Sequence, residues 1–175
     1  MVPLLLRFGH SLGYWLGLVI LALLLLAVGL YYQHGLNYWP CLACIHTRIW
    51  VAGLALVALA GLALRRYRWA LLSAHLGVAA SGGGMLERAW YLFGTERGFI
   101  TEGCGVDLSL PAWLPLDRWL PWLFEAWTSC DQTPVLILGI TMAEALLVLA
   151  SLLLLLSLSL AAVTALGRRH WWLLR

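Results

Sequence analysis

Two cysteine pairs are the residues in this chain best suited to do chemistry. Cys41 and Cys44 form a C-x-x-C motif, whereas Cys104 and Cys130 have 25 residues between them. Two thiols at C-x-x-C spacing can close a small ring, and the second can resolve a mixed disulfide formed by the first. The motif is therefore typical of thiol–disulfide exchange, and we predict two redox-active disulfides.

The same cysteines allow two other interpretations. A closed zinc site usually has two close cysteine pairs, or one close pair with nearby histidines. The wide spacing of Cys104 and Cys130 does not fit that pattern, so we expect no metal site. Purely structural disulfides are the stronger alternative, because the space outside the bacterial cytoplasm is oxidising.

The position of Cys44 favours a reactive site. Cys44 lies at the predicted N-terminal end of a helix, where the helix dipole and free N–H groups stabilise a thiolate. Arg48 follows at i+4 on the same helix face, and its permanent charge can stabilise a thiolate or a partly reduced anionic ligand. Reaching out to lipid headgroups is the alternative role for Arg48. Together the two residues predict a site for a lipid-soluble electron acceptor such as a quinone.

The composition places these cysteines on a membrane protein. Of the 175 residues, 63% are hydrophobic and 11% are charged, which is too little polar surface for a soluble globule of this size. Apolar stretches of about 20 residues, enough to cross about 30 Å of hydrocarbon, occur four times. We predict one all-α membrane domain over 1–175, a four-transmembrane-helix bundle with spans at about 13–32, 45–64, 69–93 and 142–166.

The arginines predict the orientation of this bundle. Seven of the eleven flank the spans on one predicted side, namely Arg7, Arg65, Arg66, Arg68, Arg168, Arg169 and Arg175. All eight acidic residues lie between the end of span three and the start of span four. The positive-inside rule makes both termini cytoplasmic and puts the cysteine loops, about 33–44 and 94–141, outside. The net charge of +3 follows from this topology, so we expect lipid and no nucleic acid as a partner.

The long outer loop contains the pattern of a short amphipathic helix. Six apolar residues recur at helical spacing, namely Leu116, Trp119, Leu120, Leu123, Phe124 and Trp127. Pro111, Pro115 and Pro121 limit the length of this helix. Its tryptophan-rich face predicts a helix that lies along the membrane surface, and packing against the bundle is the alternative.

The ordered motifs of the chain resemble the disulfide bond formation protein B (DsbB) family. C-x-x-C alone is weak support, but the full set runs nearly the length of the chain in the predicted topology. It consists of Gln33-His34, Pro40-Cys41-x-x-Cys44-Ile45-x-x-Arg48, Cys104, Trp113-Leu114-Pro115-Leu116-Asp117 and Cys130.

This resemblance implies a bacterial inner-membrane thiol oxidase, a protein-disulfide:quinone oxidoreductase. Cys104 and Cys130 would form the disulfide that oxidises a periplasmic DsbA-like dithiol carrier, with Cys104 as the point of attack. Electrons would then pass through a Cys41–Cys130 exchange and leave Cys44 as the thiolate that reacts with ubiquinone or menaquinone. Arg48 would help to hold and polarise the quinone.

The chain departs from the family pattern at the outer end of span three. Family quinone pockets also draw on that region, which here offers Glu87, Arg88 and Tyr91 but no histidine, and the role of these residues stays open. Three other functions remain: a specialised paralogue with a dedicated carrier, a quinone reductase resembling the vitamin K epoxide reductase family, and a non-catalytic membrane protein with structural disulfides.

Overall fold

The computed structural model describes residues 2–100, 119–120 and 139–167, and all regular secondary structure within these ranges is helical. The predicted all-α class is confirmed for this part of the chain. Its helices are α1 (Val2–His10), α2 (Leu12–His34), α3 (Leu42–Leu64), α4 (Arg68–Glu96) and α5 (Met142–Leu166). Cys104 and Cys130 lie outside the described residues, as does the predicted surface helix apart from Trp119 and Leu120.

Three of these helices are long and apolar enough to cross a membrane. They are α2 and α3, with 23 residues each, and α5, with 25 residues. α4 coincides with the predicted span at 69–93 and has 29 residues, about 43 Å at 1.5 Å per residue. Its glycines, serines and histidine, together with Glu87 and Arg88, make it less apolar than the other three. α1 is a helix that the sequence patterns did not predict.

The long helices pack in the order α2, α3, α4 and α5, with α4 lying against both α3 and α5. Small residues allow α4 and α5 to approach closely. A Cβ added at Gly82 would lie 3.2 Å from the backbone nitrogen of Leu154, so a larger side chain would push the two helices apart. Small residues at helix contacts are typical of bundles whose surroundings are as apolar as their interior.

We name the two ends of the bundle by what lies there. At the cysteine end, α2 and α4 end while α3 and α5 begin, and Cys41 packs against Leu92 and Ala143. At the terminal end, α1 packs against α5 and α2, and the α3–α4 turn lies at residues 65–67.

A buried tryptophan closes the terminal end. Trp15 is fully buried, donates its Nε1–H to the carbonyl of Gly9 at 3.0 Å, and stacks on His75 with ring centroids 5.2 Å apart. A Cβ added at Gly61 would lie 2.3 Å from the Trp15 ring. The glycine therefore makes room for the ring between α2 and α3.

Both ends of α5 are capped by polar groups. At its start, Thr141 and Glu144 form a capping box in which each side chain binds the backbone of the other residue, satisfying two free N–H groups. At its end, the Arg68 Nη2 donates to the carbonyls of Thr164 and Ala165 at 3.2 and 2.7 Å. These bonds satisfy groups that have no partner within the helix itself.

Candidate redox site

The two sulfurs of the C-x-x-C motif lie together at the start of α3. Cys41 is the N-cap of the helix, with extended backbone angles, and Cys44 lies in the first turn. The Cys44 N–H donates to the Cys41 Sγ at 3.3 Å, and the two Sγ atoms are 2.7 Å apart. A helix that begins at the first cysteine thus brings the second round to the same side, within reach of a covalent bond.

Cys41 is buried, although it lies at the end of a helix. It is 3% exposed and packs against Ala43, Leu92 and Ala143. Hydrogen bonding to Cys44, together with burial, raises the pKa of the Cys41 thiol. Burial and this bond favour the protonated form of Cys41 in the reduced pair, and Cys44 interacts electrostatically with Arg48.

Arg48 is held inside the bundle by α2. Arg48 is 8% exposed, so its guanidinium does not reach out to lipid headgroups. The Arg48 Nη1 donates to the Gln33 Oε1 at 2.6 Å, and Nη2 donates to the Gly29 carbonyl at 3.1 Å. Gly29 and Gln33 are four residues apart and share one helix face. Two adjacent helices thus position the cation near the thiols.

The connection between α2 and α3 folds back over the end of α2. Asn37 has a φ of 54°, a left-handed conformation that asparagine tolerates better than most residues. The N–H of Tyr38 donates to the carbonyl of Tyr32 at 3.0 Å, and the two rings lie 6.0 Å apart. The connection therefore brings the aromatic side chains of Tyr32, Tyr38 and Trp39 to a cleft that lies in front of the cysteines.

A cleft of about 840 Å³, counting its open mouth, lies in front of Cys41, Cys44 and Arg48. Its walls are mostly apolar and come from all four long helices. Besides the two cysteines and Arg48, they are Leu25, Leu26, Val28, Gly29, Tyr32, Tyr38, Trp39, Pro40, Thr47, Val51, Leu92, Met142 and Leu146.

The structure brings together Cys41, Cys44 and Arg48, three of the five residues that sequence analysis assigned to the site. The other two, Cys104 and Cys130, fall outside the described residues. The sequence does not predict the contact between Arg48 and Gln33, although Gln33 belongs to the motifs that carry the family resemblance. The sequence shows Gln33 only as a polar residue in the last turn of an apolar helix. The structure shows that it contacts Arg48 on the next helix.

The charged residues near the end of α4 do not line the described cleft, to which α4 contributes Leu92. The Arg88 Nε lies 3.1 Å from the Glu87 Oε2, and Glu87 is largely exposed. These two residues form an ion pair with each other. Tyr91 packs at the edge of the cluster around Cys41.

Comparisons with known proteins agree on one family. The family model described as disulfide bond formation protein DsbB matches residues 11–172. Disulfide bond formation protein B 2 of Pseudomonas aeruginosa is 37% identical over 159 residues, covering 89% of this chain and 92% of the relative. Disulfide bond formation protein B of Photobacterium profundum is 34% identical over 140 residues, with 77% of each chain covered. The protein of the same name from Vibrio alginolyticus is 31% identical over 140 residues, or 77% of this chain and 82% of the relative.

Proposed function

The chain belongs to the disulfide bond formation protein DsbB family, and from this premise we propose that it oxidises a periplasmic DsbA-like dithiol carrier and delivers the electrons to a membrane quinone. Membership makes it a membrane protein of disulfide bond formation. One observation carries the finer proposal: two adjacent thiols and a fixed arginine share an apolar cleft in the bundle.

The residues of the cleft fit a quinone. Leu25, Leu26 and Leu146 offer apolar walls to a flat ring and its tail, and the Arg48 guanidinium offers N–H donors and positive charge to a carbonyl oxygen. Cys44 lies on the same wall. When bound, ubiquinone or menaquinone accepts two electrons and two protons. Arg48 and the apolar walls would hold the ring near the sulfur, while burial excludes competing water.

Exchange with the carrier begins at the other cysteine pair. A thiolate of the reduced carrier attacks the Cys104 sulfur, a carrier–Cys104 bond forms, and the Cys104–Cys130 bond breaks, with the electron pair leaving on Cys130. The second carrier thiol then attacks the carrier sulfur of this mixed disulfide. The oxidised carrier departs, and Cys104 is left as a thiol.

The second exchange moves the two electrons to the cleft. The Cys130 thiolate attacks the Cys41 sulfur, the Cys41–Cys44 bond breaks, and Cys44 leaves as a thiolate beside Arg48. Cys104 then attacks Cys130, which restores the Cys104–Cys130 disulfide and releases Cys41 as a thiol. The assignment of Cys44 as leaving group is supported by the charge that Arg48 supplies to it and by the raised pKa of Cys41.

We propose that four helices, α2, α3, α4 and α5, span the membrane. We take α4 as the fourth span, because its buried residues run from Leu71 to Gly94 along almost its whole length and it packs against two apolar helices. Polar residues of spanning helices usually face such a bundle interior. The arginines at 65, 66 and 68 favour an orientation with the terminal end in the cytoplasm and the cysteine end in the periplasm.

Turnover of purified full-length protein with a reduced carrier and ubiquinone tests this function. We expect one quinone to be consumed for each carrier oxidised, and no consumption by the Cys104→Ser variant. Thiol trapping separates the non-catalytic alternative, because structural disulfides would not exchange with the carrier. A dedicated carrier would show itself as rapid turnover with one periplasmic dithiol protein and slow turnover with others.

A further inference from the structure

We propose that Gln33 is a positioning residue for the quinone reaction: it orients the Arg48 guanidinium and, as a neutral amide, leaves the arginine charge available to Cys44 and to the cleft. This inference rests on the proposed function. It concerns a side chain that lies in the last turn of α2 and does not itself line the cleft.

The geometry of the contact supports orientation. The guanidinium is planar, and two of its nitrogens are bound by α2, Nη1 by the Gln33 Oε1 at 2.6 Å and Nη2 by the Gly29 carbonyl at 3.1 Å. Two bonds to one rigid helix fix both the position and the plane of the group. A single bond would allow the guanidinium to rotate about it. Gln33 therefore supplies one of the bonds that hold Arg48 toward the cleft.

The backbone around Gly29 makes this support possible. A Cβ added at Gly29 would lie 3.5 Å from the Arg48 Nε and 3.8 Å from Nη2, so the guanidinium lies close to the α2 backbone at this glycine. Gln33 is one helical turn further on the same face. The arginine thus spans one turn of α2, and its rotation is limited on both sides.

The chemical type of residue 33 supports the second part of the inference. An amide oxygen accepts the arginine N–H bond without carrying a charge. A carboxylate at the same place would pair with Arg48 and cancel much of its field at Cys44, which interacts electrostatically with that arginine. Glutamine satisfies the bond and preserves the charge, and this combination is what a thiolate or a quinone oxygen requires.

Three variants of the full-length protein separate these effects. Gln33→Glu keeps the shape and adds a charge, and Gln33→Met keeps the length and removes the acceptor. His34→Glu is the control, because it puts the same carboxylate one residue away on an exposed side chain. Thermal unfolding of each variant shows whether it is folded, and the Met variant alone suffices to test orientation if the Glu variant is not.

The first readout is steady-state turnover with a reduced carrier and a decyl-tailed ubiquinone. We expect both Gln33 variants to raise the quinone KM about tenfold, the cost of one hydrogen bond to a charged group. The KM for the carrier and the behaviour of His34→Glu should match the wild type. A quinone KM that is unchanged in Gln33→Met, or a carrier KM that rises equally, would overturn the inference.

The second readout needs no quinone. In a background in which the other three of the four cysteines are serine, the rate of Cys44 alkylation by iodoacetamide reports its thiolate character. We expect Gln33→Glu to slow alkylation about fivefold at neutral pH, and Gln33→Met to leave the rate nearly unchanged, because it leaves the arginine charge intact. Equal rates in the Glu variant and the wild type would overturn the charge argument. If wild type reduces no quinone while this pattern holds, the proposed function fails and the Gln33–Arg48 arrangement stands.

Discussion

The cysteine end and the terminal end of the bundle both bury polar side chains, but they treat them differently. Arg48 at the cysteine end is hydrogen-bonded to Gln33 and Gly29 and lines a cleft. His75 at the terminal end is fully buried against Trp15, and neither of its ring nitrogens has a hydrogen-bond partner within the described residues. There the imidazole serves as a flat ring in an aromatic stack.

This contrast distinguishes a polar group that belongs to a functional site from one that only fills space in the bundle. A buried charge is tolerated when it is hydrogen-bonded and faces a site, whereas an aromatic ring contributes by filling space. For the two polar groups compared, substitutions at Arg48 should change turnover more than stability, and substitutions around Trp15 and His75 should change stability more than turnover.

The largest expected effect is the loss of turnover in Cys44→Ser, because the relay then has no thiolate beside Arg48. The measurement is quinone consumption with a reduced carrier, which should fall to background. Thermal unfolding should stay near that of the wild type, since the serine keeps the size of the side chain.

Cys104→Ser should be equally inactive, but unlike Cys44→Ser it should form no mixed disulfide with the carrier. Normal turnover in both variants would show that the relay is wrong.

Arg48→Ala should weaken quinone binding more than carrier binding. Removing a charged hydrogen-bond donor costs about 1.5 to 3 kcal/mol, or roughly ten- to a hundredfold in the quinone KM. Steady-state kinetics with each substrate varied in turn gives both constants. Arg66→Ala is the matched control, because that arginine is exposed at the terminal end. Equal losses for quinone and carrier in Arg48→Ala would indicate a folding defect.

Gly61→Ala tests the terminal end. The new Cβ would lie 2.3 Å from a Trp15 ring that is fully buried and anchored to Gly9. Overpacking costs about 1 to 3 kcal/mol, which outweighs the gain of about 1 kcal/mol from replacing a helical glycine. Unfolding should therefore shift to lower temperature, with normal turnover of the folded fraction.

The control for Gly61→Ala is Gly17→Ala on α2, where a Cβ meets nothing within 4 Å. This variant should be as stable as the wild type or slightly more so. If Gly61→Ala instead lost turnover at unchanged stability, the two ends would not divide function from packing as described.

The smallest expected effect is on the capping box of α5. Thr141→Ala removes the side chain that accepts from the backbone N–H of Glu144, and N-cap losses cost about 1 kcal/mol. A chemical denaturation curve should detect the shift. Ser73→Ala, which removes an exposed hydroxyl bonded within its own helix, should change stability by less than about 0.5 kcal/mol. Equal stability of Thr141→Ala and wild type would show that the cap is dispensable.

The sequence predicted the long elements well because length and apolarity determine them. The long helices include the residues of the predicted spans, and α5 begins at Met142, directly after its threonine cap. The pattern at Cys44 and Arg48 was also readable, since i and i+4 residues share a helix face. These predictions needed local information alone.

What could not be read from the sequence depends on contacts between helices. Gln33 and Arg48 are 15 residues apart and lie on different helices, so no periodicity links them. The N-terminal α1 was missed because nine residues are too few for a long apolar pattern, and its stability comes from packing on α5. The same holds for Gly61, whose role depends on a tryptophan from α2.

The central claim is that electrons leave through the Cys41–Cys44 pair, and thiol trapping without oxygen tests it most directly. An excess of reduced carrier without quinone should leave both cysteine pairs alkylated, as read by mass spectrometry. In a parallel sample, the carrier is removed before alkylation, and one equivalent of ubiquinone should then protect one pair of thiols per protein. In Cys104→Ser, the carrier should not reduce the Cys41–Cys44 disulfide. Continued quinone consumption after Cys41 and Cys44 are both blocked by alkylation would contradict the account.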